Sequence, residues 1–176
     1  IAVTKPYFSL KDIKRISADS LLAKIPIEQD PLFEASIISG AEASRHMAIL
    51  GSLAIAQLLD KDNRNYYLAF EAKFKYCGDY KFDYPKNNNE LIGAARVISL
   101  CKRDAIVDTK LSIGASPLFN AQIKYFIVPE KIFMRKYATF KQETPACIQN
   151  PYKSIYPLNN IRFENDKLYA STGNVM

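Results

Sequence analysis

The chain has 176 residues, of which 48% are apolar and 24% charged, with a formal net charge of +6; that length and composition call for one well-buried soluble domain and exclude a disordered or fibrous protein. The longest apolar run, Met47 to Leu59, is interrupted by Ser52 and Gln57 and is too short to span a bilayer, and no signal peptide is legible. The three cysteines, Cys77, Cys101 and Cys147, are widely spaced, which fits neither a disulfide framework nor a metal site and makes a reducing cytoplasm the expected compartment.

Positive charge is spread in short clusters ("KFK", "CKR", "FMRKY") rather than gathered in a tail. Such a surface favours acidic partners in general. No zinc-finger spacing and no aromatic motif of an RNA-recognition sheet accompanies it, so nucleic acid is not an expected partner.

In chain order, "SLKDIKRIS" opens with a serine able to cap a helix and has apolar residues at Leu10, Ile13 and Ile16, which predicts a short amphipathic helix. "LLAKIPIE" and "LFEASII" read as extended, the first interrupted by Pro26 and so suited to an edge or an irregularity. Ala41 to Leu59 lacks proline and is dense in Ala, Leu, Ile and Met, predicting a long helix that is apolar nearly all round and therefore buried on several sides. Its small residues, Gly51 and Ser52 among them, leave room for a close neighbour.

The next stretches alternate as strands do. In "YYLAFEAKFKY", Leu68, Phe70, Ala72, Phe74 and Tyr76 share a face opposite Glu71, Lys73 and Lys75. "ELIGAARVISL" follows, then "AIVDTKLSI" with Val107, Thr109, Leu111 and Ile113 on one side. "LFNAQIKYFIV" sets Phe119, Ala121, Ile123, Tyr125 and Ile127 against Asn120, Gln122 and Lys124. Short turns between consecutive strands imply antiparallel neighbours. Beyond Pro129, a short helix near "EKIFMRKY" and a strand such as "DKLYAST" are expected, within the same single domain of residues 1–176 and as an extension from about residue 131.

The order of an early strand pair, one long buried helix and four antiparallel strands resembles the hotdog superfamily over about residues 8–130. The similar pieces are "FSLKDIKRI" leading into "KIPI", the helix ending "LAIAQLL", then "YYLAFEAKFKY" and "NAQIKYFIV". Within the superfamily they look most like the 3-hydroxyacyl carrier-protein dehydratases of fatty-acid or polyketide-type metabolism. The resemblance implies an α+β fold in which an antiparallel sheet wraps the helix, a homodimer, and an acyl thioester of acyl carrier protein or coenzyme A as substrate. It implies no cofactor, metal or membrane. The chain departs from the dehydratase pattern at the chemistry: Leu53 stands where the helix acid would be, and no histidine precedes the helix.

The one histidine, His46, lies in "SGAEASRHMAIL". In a helix beginning near Gly40, Glu42 and His46 are one turn apart on one face. A histidine there meets the positive end of the helix dipole, which favours the neutral form that a general base needs. The unpaired amides around Gly40 and Ala41 suit an oxyanion, and Arg45 either neutralises Glu42 or binds a phosphate. Ser39 and Glu42 equally make a capping box with no catalytic meaning. Three readings follow: a dehydratase with His46 and Glu42 as base and acid, a thioesterase in which either activates water, or a non-catalytic acyl-binding or assembly protein. Lys102, Arg103 and Arg135 are candidates to draw in phosphopantetheine or an acidic carrier.

Overall fold

The computed structural model describes residues 3, 5, 7–29, 36–59, 63–78, 91–138, 158–164 and 167–172. Two compact units make up the chain, Ile1–Pro145 and Ala146–Met176. The first contains strands β1 (Lys11–Arg15), β2 (Ser20–Ile25), β3 (Asn65–Tyr76), β4 (Leu91–Leu100), β5 (Asp104–Ile113) and β6 (Ser116–Pro129), with helices α1 (Gly40–Ala56) and α2 (Glu130–Tyr137). The second contains an antiparallel pair, β7 (Leu158–Glu164) and β8 (Lys167–Thr172), the latter over the predicted "DKLYAST".

The six strands form one antiparallel sheet in the order β1-β2-β4-β5-β6-β3. Because β2 and β3 are separated by three other strands, the chain between them must cross the sheet, and α1 is that crossing. The alternation of the central strands decides which side the helix occupies. Val107, Thr109 and Leu111 of β5 and Phe119, Ala121, Ile123, Tyr125 and Ile127 of β6 are all buried; the residues between them point the other way. Ala43, Met47, Leu50, Ala54 and Ile55 of α1 close the core against this face. The α+β core with a long helix on an antiparallel sheet is as the sequence pattern predicts.

Helix and sheet meet most closely at Gly51. A Cβ added there would lie 2.2 Å from the hydroxyl of Tyr125 and 3.0 Å from its Cζ. That hydroxyl donates to the Ala48 carbonyl at 2.9 Å, as does Ser52 Oγ at 2.9 Å. Burial pushes the Tyr125 phenol well above its ordinary range, so it stays a neutral donor.

Two sequence expectations fail. "SLKDIKRIS" forms β1 rather than a helix: only Leu10 of its three spaced apolar residues is buried, and Ile13 and Ile16 are exposed. Without a buried stripe the three-residue spacing has no packing to reward it, and pairing with β2 wins. A register shift between Lys11 and Lys14 accompanies a left-handed backbone at Asp12 (φ 47°), the pattern of a bulged edge. In "LFEASII", residues 32–35 lie outside the described residues, while 36–38 are bends rather than strand.

The strand β3 also departs from plain alternation. Ala69 pairs with Tyr125 and Glu71 with Lys124, so Phe70 is an extra residue in a bulge. Leu68, opposite Phe126, therefore lies on the outer face, and Phe70 stacks on Phe126 at 4.0 Å. Ala72, Phe74 and Tyr76 share the inner face with Ile123, Ala121 and Phe119. As an edge strand that α1 barely reaches, β3 leaves Phe74 38% exposed even on that inner side.

Replacing Gly51 by Ala tests the close approach. The gain in helix propensity, about 1 kcal/mol, is outweighed by displacement of Tyr125, and a net loss of about 1–3 kcal/mol is expected in urea unfolding. Adding Tyr125→Phe, which removes the atom met first, recovers part of that loss.

Candidate functional site

The helix start is built as the sequence suggests, with one change. Ser39 is the N-cap and its Oγ accepts the Glu42 amide at 3.1 Å. In a capping box the glutamate would turn back to the serine. Here its carboxylate reaches instead to the segment leaving β2: Oε1 accepts the Glu28 amide at 2.7 Å and Oε2 the Gln29 amide at 3.1 Å. Gln29 Oε1 in turn accepts the Ser39 hydroxyl at 3.1 Å. The start of α1 and the exit of β2 are thus stapled together by a buried carboxylate.

Glu42, Arg45 and His46 come together, and Glu28 joins them. One guanidinium nitrogen, Arg45 Nη2, lies 2.6 Å from Glu28 Oε2, 3.0 Å from His46 Nε2 and 3.6 Å from Glu42 Oε1. Glu28 Oε2 also accepts Ser9 Oγ at 2.9 Å. Guanidinium nitrogens only donate, so His46 Nε2 is an acceptor and the neutral ring carries its proton on Nδ1. That Nδ1 is buried with no hydrogen-bond partner among the described residues. Against Nε2, Glu42 Oε1 at 3.4 Å is then a lone pair facing a lone pair, with Arg45 supplying the charge that holds both.

Accessibility divides the four residues. The side chains of Glu42 and His46 are 0% exposed, Arg45 14% and Glu28 23%. Glu28 is therefore the carboxylate that meets solvent, and it was absent from the sequence reading. Fourteen positions from Glu42 and beyond the β2 strand, it obeys no helical or strand spacing that would tie it to the site; only its place just after Pro26, where the chain leaves the sheet, hints at it. Gly40 and Ala41 form the first turn as expected, Gly40 partly buried and Ala41 exposed, and the Ser44 hydroxyl donates back to the Gly40 carbonyl at 2.7 Å.

Ligand atoms of Glu28, Glu42 and His46 lie within 4.8 Å of one another, close enough to hold a metal ion. The spacing has another account in the same atoms. Arg45 Nη2 stands among all three, so a guanidinium supplies the positive charge that two carboxylates and a neutral imidazole require. Lys102, Arg103 and Arg135 are exposed; the first two are in the turn from β4 to β5 and the third is on α2, and no described contact brings them to the cluster. Leu53 is only partly buried, about two helical turns beyond His46.

No family model and no curated protein matches the chain. Solved structures do. A thioesterase from Pseudomonas aeruginosa superposes with a TM-score of 0.52 at 19% identity, over 66% of this chain and 80% of its own. A thioesterase from Haemophilus influenzae gives 0.53 at 12%, over 66% and 77%. A hypothetical thioesterase from Streptococcus pneumoniae, solved with coenzyme A, gives 0.52 at 11%, over 67% and 85%. At such identities the likeness is one of fold: the Ile1–Pro145 unit has the hotdog architecture, and what those proteins bind is theirs. Among the described residues no helix is long and apolar enough to cross a membrane.

Removing the buried carboxylate tests the staple. Glu42→Ala leaves the Glu28 and Gln29 amides without their acceptor and is expected to cost about 3–5 kcal/mol in urea unfolding. Glu42→Gln, which keeps one acceptor oxygen, costs less. Adding Arg45→Met to Glu42→Ala lowers stability further, because Glu28 then loses the guanidinium 2.6 Å from its carboxylate.

Proposed function

We propose that the chain hydrolyses acyl thioesters of coenzyme A in the cytoplasm, as a homodimer, with the Glu28–Glu42–Arg45–His46 cluster as its reaction centre. The observation that carries this reading is the partly exposed Glu28 carboxylate, fixed by Arg45 and Ser9 and tied through Glu42 to the first turn of α1. Support also comes from the thioesterase descriptions of the structural neighbours and from the one solved with coenzyme A.

In this mechanism Glu28 takes a proton from water as the water oxygen bonds to the thioester carbonyl carbon. The carbonyl oxygen becomes an oxyanion, received by the exposed first-turn amide of Ala41 with the helix dipole behind it. Collapse of this intermediate breaks the C–S bond, and the protonated Glu28 returns its proton to the leaving thiolate. Glu42 and His46 act as positioning residues: Glu42 holds the Glu28 backbone, and His46 Nε2 helps fix the guanidinium that orients the Glu28 carboxylate. Dehydration of a hydroxyacyl carrier substrate is the weaker alternative, since Leu53 offers no acid and His46 no exposed atom.

The dimer reading rests on β3. Its outer edge pairs with no other described strand, and Phe74 and Ala72 stay exposed on the side that faces the core. Pairing of two such edges would extend the sheet and bring a partner surface over them.

Thiol release from a panel of acyl-CoA substrates tests the activity. Glu28→Gln is expected to lower kcat by about 100-fold or more while light scattering still reports a dimer. His46→Ala lowers it less, with the loss in kcat rather than KM. Hydrolysis unchanged in Glu28→Gln removes Glu28 from the chemistry. A second reading, acyl binding without turnover, is favoured by the complete burial of Glu42 and His46; saturable acyl-CoA binding with no thiol release would establish it.

A further inference from the structure

The side of the sheet turned away from α1 carries an open groove of about 650 Å³, within the range of small-molecule sites. Strand register places its lining in two rows across five strands. One row is Ser20, Arg96, Asp108, Gln122 and Lys73; the next is Leu22, Ala94, Lys110, Asn120 and Lys75. The residues between these positions, such as Ala95, Thr109 and Ala121, point into the core. A groove here is therefore separated from the α1 cluster by the thickness of the sheet.

Its charge is unevenly committed. Arg96 is held by Asp19 at 3.2 Å, and Asp108 accepts the Gln122 amide at 3.0 Å. Glu71, near Lys73, is taken by Lys124 at 2.8 Å. Lys73, Lys75 and Lys110 are left facing the groove. Lys73 and Lys75 are two residues apart on β3, and Lys110 lies two strand spacings away, roughly 10 Å, with Asn120 between. Lysine's four-carbon stem spans such gaps, so the three ammonium groups can converge above the Asn120 and Gln122 amides. Three cations over less than about one square nanometre of polar floor call for several negative charges on one small group. At the other end, Leu22 and Ala94 with Ile16 at the rim form an apolar patch.

We infer that this outer groove is a nucleotide site, binding a di- or triphosphate at Lys73, Lys75 and Lys110 and a nucleoside against Ile16, Leu22 and Ala94. It goes beyond the thioester reading and does not rest on it. Each cation contributes a charge-assisted contact that salt weakens.

Isothermal titration of the full chain with ATP and with inorganic tripolyphosphate tests it. ATP is expected to bind, more tightly than tripolyphosphate, with affinity that falls as salt rises. The triple variant Lys73→Gln, Lys75→Gln, Lys110→Gln, whose exposed substitutions leave the circular dichroism unchanged, should lose at least about 10-fold in ATP affinity. Ile16→Glu should weaken ATP and spare tripolyphosphate. Pantetheine at saturation, which carries neither a phosphate nor a nucleoside, should leave ATP affinity unchanged. No ATP binding at about 1 mM, full affinity in the triple variant, equal affinity for the two ligands, or competition by pantetheine would each overturn the site. Thiol release plays no part in these measurements, so a failure of hydrolysis leaves their outcome independent.

Discussion

A helix that is apolar nearly all round has to be covered, and in this chain it also starts with a buried negative charge. The Glu42 carboxylate meets that constraint by taking two backbone amides from the segment leaving β2 and sharing Arg45 with Glu28. An unpaired charge at that depth would be too costly for the fold to keep. The staple fixes where the crossing helix begins, and the contact of Gly51 with Tyr125 fixes how near the sheet it runs. Between those two points the core side chains of α1 have one register against the central strands.

The same residues show why structural and catalytic roles are hard to separate at a helix start. Unsatisfied amides, a capping serine and an acid in the first turn stabilise a helix, and the same groups can receive an oxyanion. Burial draws the line: Glu42 and His46 lie behind, while Glu28 and Arg45 reach the surface. In the proposed mechanism the reactive step falls to the carboxylate that water can reach, and positioning to the two side chains that it cannot.

Much of the fold was legible because its signals are local. The alternation in "LFNAQIKYFIV" gave the two faces of β6 correctly, and the proline-free run from Ala41 gave α1 to within a few residues. What escaped depended on distant partners. Leu10, Ile13 and Ile16 look helical in isolation, but β1 exists through its pairing with β2. The bulge at Phe70 has no mark of its own, since Leu68, Phe70 and Ala72 continue an apolar alternation that the pairing with β6 breaks. Three of the four cluster residues were visible in "SGAEASRH", where helical spacing joins Glu42, Arg45 and His46. Glu28 enters only through tertiary folding, fourteen positions away.

That bulge resets the phase of β3. A strand without it would carry one continuous alternation. With Phe70 absorbing the extra position, Leu68 joins the outer surface while Ala72 and Phe74 stay on the inner one. The two halves of the strand thus run in opposite phase: even-numbered side chains face outward toward the α2 end and inward beside Lys73 and Lys75.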